Sequence, residues 1–158
     1  MRSIDQVGLA AELLERGLGV RVQARGYSMT PWILDGDVLD IEPLNGAAWR
    51  AGDILLCRRG EDRFVCHRLI RRLSRGGIPH VVLKGDWLLA PDRPIPADRC
   101  LGRIRSVERQ GTRVLHLDAT RPWAALLARL AALASLFAPA FVPLARGYLT
   151  LRAPKGRP

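Results

Sequence analysis

Between Val20 and about Leu117 the apolar residues come in short runs broken by tight-turn residues, and this pattern limits what the chain can become. Val20-Arg21-Val22-Gln23-Ala24 alternates at period two, and Val38-Leu39-Asp40-Ile41 follows the Asp35-Gly36-Asp37 turn. Ile54 to Arg58 and Phe64 to Ile70 flank Gly60-Glu61-Asp62, the mark of a hairpin. Val81 to Lys84 runs into a Gly-Asp turn, and Leu101–Val107 and Arg113–Leu117 are separated by Gln110-Gly111. No helical period intervenes, so parallel β-α-β units are excluded. The expected core is mainly β, an antiparallel coiled sheet or small barrel over residues 20–121.

The two ends read differently. Val7, Ala10, Ala11, Leu14 and Leu18 share one face at helical period, with a capping-box spacing at Ser3 and Gln6 and glycines at 17 and 19. Residues 1–19 are thus expected to form a short amphipathic helix. They do not read as a signal peptide, because Asp5, Glu12, Glu15 and Arg16 interrupt any apolar run. Residues 122–158 form an apolar helical segment and a basic tail. Trp123 to Ala145 carries one charge, Arg129, and as a helix could span a hydrocarbon core of ~30 Å. Pro139, Pro143 and many alanines weaken that reading. Membrane association through 123–145, at the cell membrane on a side left open, is the expectation. A soluble cytoplasmic protein with this segment packed on the domain or a partner is the alternative.

The net charge is +10, nearly all of it arginine, since the lysines are Lys84 and Lys155 alone. Five of the 25 basic residues and none of the 15 acids lie beyond residue 121. Half of the excess therefore borders the apolar segment, and the other arginines are scattered among acids. Nucleic acid is not the expected partner. Cys57, Cys66 and Cys100 match no zinc spacing and are too few for a disulfide framework. Cys57 and Cys66 flank the hairpin and could face each other, although small buried thiols are the preferred reading. Neither a metal cluster nor a phosphate-cradling loop is legible, so no cofactor is expected.

Four stretches carry polar residues suited to chemistry. They are Arg25-Gly26-Tyr27-Ser28-Met29-Thr30-Pro31-Trp32 with Asp35-Gly36-Asp37, then Gly52-Asp53-Ile54-Leu55, then His67-Arg68-Leu69-Ile70, and finally Lys84-Gly85-Asp86-Trp87 with Pro91-Asp92. Ser28 lies between an extended segment and an acidic turn, where a hydroxyl and backbone N–H groups can both be presented. A serine needs a base within hydrogen-bond reach to act as a nucleophile. The residue types offer Lys84, Lys155, His67, His80 and His116. His67 falls in a strand, His80 in an expected loop after Gly76-Gly77 and Pro79, and His116 in a late strand. Asp86 and Asp92 lie where a carboxylate could orient an imidazole.

In order and spacing these stretches resemble the signal peptidase I superfamily, which includes signal peptidases and the self-cleaving LexA-like repressors. The resemblance covers roughly residues 20–108: a Gly-x-Ser-Met-x-Pro box with a Gly-Asp turn, a Gly-Asp-hydrophobic box, a base-bearing strand and a Gly-Asp…Asp box. His67-Arg68 at the base position is similar to the endoplasmic-reticulum and archaeal-type branch, where histidine replaces lysine. The resemblance implies a serine endopeptidase acting on a precursor protein or peptide. Ser28 would be the nucleophile, His67 the base and then the acid, and Asp92 or Asp86 the orienting carboxylate, with Asp92 slightly preferred. Gly26, Met29 and Pro31 would form the oxyanion and substrate-binding segment. Two departures stand out. Gly26 sits where signal peptidases often carry a serine, and Trp87 where relatives often carry asparagine. The only candidate anchor is C-terminal, unlike the usual N-terminal one. The alternative is a LexA-like regulatory or non-catalytic binding module.

Overall fold

The computed structural model describes residues 6–44, 49–60 and 63–116. The capping-box residue Ser3, the Glu61-Asp62 turn and the whole apolar segment and basic tail lie outside these residues. The expectation of a mainly β chain with a short N-terminal helix holds: one helix precedes an antiparallel sheet that curls as a half-barrel.

Helix α1 spans Gln6–Glu15. It buries Ala10, Ala11 and Leu14 against Val20, Ile41 and Ile104. Two alanines on the buried face let the helix approach closely, and the sheet answers with Gly102. A Cβ there would meet Ile41 Cγ2 at 2.6 Å and Leu14 Cδ2 at 3.1 Å. The helix ends where Gly17 turns to φ +81°. The Gly17 and Leu18 N–H groups there cap the Leu14 and Leu13 carbonyls, each at 2.9 Å. Leu18, expected on the buried face, lies past this turn and is exposed.

The strands are β1 (Val20–Gln23), β2 (Val38–Pro43), β3 (Ile54–Arg58), β4 (Phe64–Arg75), β5 (Ile78–Lys84), β6 (Ile95–Pro96), β7 (Cys100–Arg109) and β8 (Thr112–His116). The sheet order is β1-β2-β7-β3-β4-β5-β6, and β8 pairs with the far end of β7. Strand β3 is central and covered on both faces. Ile54 and Leu56 enter the core shared with α1, while Leu55 and Cys57 enter a second core with Leu69, Val81, Leu83 and Ile95. Its unbroken apolar run is what burial on two faces requires.

One expectation and one alternative reading are corrected. Strand β4 runs twelve residues, beyond Ile70 to Arg75, and pairs with Ile78–His80 across Gly76-Gly77. His80 therefore lies in β5, not in a loop. This outer end of the hairpin is largely solvent-exposed, so Arg71, Arg72 and Ser74 give no apolar alternation to reveal it. Cys57 and Cys66 are not cross-strand partners: Cys66 pairs with Leu56, and Cys57 with Val65 on β4 and Cys100 on β7. All three thiols are free.

Candidate active site

The loop from Ala24 to Asp37 that carries Ser28 is anchored at its base. The Ala24 N–H donates to the Asp37 carbonyl at 2.7 Å, and the Ala24 carbonyl accepts from the Gly36 N–H at 3.0 Å. The Asp37 carboxylate accepts from the Leu34 N–H and from both arms of Arg109, at 2.8–2.9 Å. The Arg109 hydrogen bond is the main reason the Asp37 carboxyl titrates below its ordinary range, against the opposing effect of burial. Gly26 takes φ +90°, a conformation that favours glycine, and donates its N–H to Asp35 Oδ1 at 2.8 Å. Met29 is buried in the core shared with α1, while Gly26 and Pro31 are exposed. Of these three, Met29 can reach a ligand only through its main chain.

His67 stands on β4 opposite Leu55 and is buried. Its Nε2 is 3.0 Å from Ser28 Oγ, and its Nδ1 is 2.5 Å from Asp92 Oδ2. A carboxylate only accepts, so the neutral ring carries its proton on Nδ1, leaving Nε2 to accept from the Ser28 hydroxyl. Asp92 is brought there by its own backbone: its N–H donates to the Leu83 carbonyl at 2.8 Å, folding the loop after β5 back onto that strand. The structure thus brings together Ser28, His67 and Asp92, from three separate stretches of sequence.

Asp86 does something else. Its two oxygens accept from Arg68 Nε and Nη2 at 2.9 and 2.7 Å, while Arg68 Nη1 donates to the Gly52 carbonyl at 2.8 Å. Both side chains are nearly inaccessible, at 3% and 5% of full exposure. Successive residues of a strand face opposite sides. His67 therefore meets Ser28 and Asp92, while Arg68 ties Gly52-Asp53 to Gly85-Asp86. The Gly85-Asp86-Trp87 turn in turn supports the serine loop. The Trp87 N–H donates to the Ser28 carbonyl at 2.9 Å, and a Cβ on Gly85 would meet that carbonyl oxygen at 2.7 Å.

Lys84, the one lysine among the described residues, is buried next to this ion pair and opposite Arg68. Its Nζ donates to the Gly85 carbonyl at 3.3 Å. Burial holds its ammonium below the ordinary lysine range, with the Asp86 charge opposing. His80 bonds the Ile78 carbonyl at 2.9 Å, through a ring nitrogen of β5's outer end. One residue of the arrangement gave no sequence signal: Arg59, at the mouth of the β3–β4 hairpin, donates to Asp92 Oδ1 at 3.2 Å. Nothing in an Arg-Arg pair beside a turn marks a partner 33 residues away.

Among the described residues no three His, Cys, Asp or Glu side chains cluster as metal ligands. Among the same residues no helix is long and apolar enough to cross a membrane. No family model, curated protein or solved structure matches this chain.

Proposed function

We propose that the chain is a serine endopeptidase of the signal-peptidase type that cleaves a precursor protein or peptide. The observation carrying this reading is the unbroken line from Ser28 Oγ to His67 Nε2 and from His67 Nδ1 to Asp92 Oδ2. In this mechanism Ser28 Oγ attacks the scissile carbonyl carbon while His67 Nε2 takes its proton. Asp92 holds the ring and stabilises the imidazolium. Backbone N–H groups of the turn at Ser28 and Met29 are the donors we assign to the oxyanion, since Gly26 supplies no hydroxyl. The tetrahedral intermediate collapses as His67 returns the proton to the leaving amine, giving an acyl-serine. Water then attacks that ester, with His67 as base once more, and the carboxylic acid and Ser28 are released. Histidine needs less desolvation than lysine to act as a base near neutral pH, which suits a chain this poor in lysine. We assign to Asp86 the separate role of holding its turn against Arg68.

A precursor presented at a membrane, with residues 123–145 associating with that membrane, belongs to the same reading and is supported by composition alone. A peptide library incubated with wild-type, Ser28→Ala and His67→Ala proteins tests the chemistry. Cleavage by wild type and by neither variant is expected. Cleavage that survives His67→Ala removes the base assignment. Carbonate extraction with and without residues 122–158 tests the membrane association, and a full-length protein that washes off like the truncated one ends it.

A further inference from the structure

Each oxygen of the Asp92 carboxylate has a different partner. Oδ2 accepts from His67 Nδ1 at 2.5 Å, and Oδ1 accepts from Arg59 Nη1 at 3.2 Å. The aspartate side chain is 6% exposed, whereas that of Arg59 is 51% exposed and reaches in from the hairpin mouth. The backbone there is pinned by a 2.6 Å hydrogen bond from the Arg59 N–H to the Arg63 carbonyl. On the other side, the Asp92 N–H on the Leu83 carbonyl fixes the position of its Cα. It does not fix the carboxylate plane, because the terminal torsion of aspartate is broad. A carboxylate held through one oxygen can swing about that contact; one held through both oxygens, by donors from a strand and from the turn that precedes it, cannot.

We propose that Arg59 is a positioning residue: it fixes the plane of the Asp92 carboxylate and, through it, the ring of His67 against Ser28. Its consequence for rate rests on the peptidase reading, while the geometric claim stands without it. Arg59 acts through Asp92, and its exposure makes it a residue whose loss the fold tolerates. It also ties Asp92, from the loop after β5, to the turn of the hairpin that carries His67.

The test is proton NMR of the exchangeable downfield signals of the full-length protein, paired with peptide hydrolysis. Wild type is expected to show a downfield resonance for the His67 Nδ1 proton, absent in His67→Ala. Arg59→Gln is expected to broaden or lose that resonance through faster exchange with water. Its kcat should fall by about fivefold at most, the scale of an exposed ion pair, with KM little changed. Arg59→Lys, which keeps the charge, should restore part of both. The urea midpoint of Arg59→Gln should stay at the wild-type value, whereas a merely structural role would move the midpoint and leave the resonance alone. An Arg59→Gln protein that keeps the resonance, or a wild type that never shows it, overturns the inference whatever the rate. A resonance that depends on Arg59 in a protein without Ser28-dependent hydrolysis ends the peptidase reading and leaves the positioning inference standing.

Discussion

Removal of the Asp86 carboxylate should cost far more than its position beside a surface turn suggests. Among the described residues, Asp86→Ala would leave the Arg68 guanidinium with the Gly52 carbonyl at 2.8 Å as its one hydrogen-bond partner, in a place where 3% of that side chain meets water. It would also remove the nearby negative charge that favours the charged form of Lys84 against its burial. Breaking a buried pair by deleting one partner costs about 3–5 kcal/mol, because the remaining charge is left buried without its counter-ion. A domain of this size has roughly 5–15 kcal/mol in total. Urea unfolding followed by circular dichroism is the assay. At a slope of about 2 kcal/mol per molar, the midpoint should drop by about 2 M. The charge-free double variant Arg68→Met/Asp86→Leu should recover most of the loss, because the desolvation of both ions is removed together. An Asp86→Ala protein within about 1 kcal/mol of wild type would refute the reasoning, as would a double variant no more stable than the single one.

The remaining predictions separate the other parts of the site. Asp92→Asn should lower kcat/KM roughly 10²- to 10⁴-fold by presenting an amide donor to His67 Nδ1 and favouring the wrong tautomer, with a smaller urea shift than Asp86→Ala; the opposite pattern would exchange the roles of the two aspartates. Gly85→Ala should destabilise by about 1–3 kcal/mol and impair hydrolysis, because its Cβ would come within 2.7 Å of the Ser28 carbonyl oxygen; calorimetry and peptide cleavage at wild-type levels would contradict this. The Asp37 carboxyl is held below its ordinary value of 3.8, chiefly by Arg109. Its contribution to stability is therefore complete above that value and lost as pH falls through the lower folded one. Arg109→Gln should accordingly lose less stability than wild type on acidification below pH 3.8, as read by urea midpoints. Burial pushes the Cys66 thiol up to about 12, so a disulfide reagent at pH 8 should modify it about two to three orders of magnitude more slowly in the native than in the urea-unfolded protein.

Strand content was legible wherever a run met the core. Ile54–Arg58 shows this most plainly, since burial on both faces demands an uninterrupted apolar run. It was not legible in the outer halves of β4 and β5, where Arg71 to Arg75 pair through backbone groups that any residue supplies. The two-residue strand at Ile95–Pro96 was hidden for another reason: Ile95 is buried, but two residues are too short to show a period. At the site, residue types alone left five candidate bases for Ser28, and His67 was singled out by the resemblance of the four stretches, in which it holds the base position. The choice between Asp86 and Asp92 could not be made along the chain, since both follow β5 within eight residues. It depends on the alternation of β4, which turns His67 to one side and Arg68 to the other, and on the Asp92 N–H that bends its loop back onto Leu83. Arg59 was beyond reach for the same reason: its contact is made by the curl of the sheet.

The central claim is that His67 activates Ser28. Intact and peptide mass spectrometry of the full-length protein after treatment with a fluorophosphonate measures this most directly, because the reagent phosphonylates a serine oxygen that attacks phosphorus as a nearby base takes its proton and fluoride leaves. One phosphonyl adduct, mapping to the Gly26–Trp32 segment at Ser28 and absent from Ser28→Ala and His67→Ala, is the predicted result. An adduct on another serine, or labelling of Ser28 at the wild-type rate in His67→Ala, would contradict it.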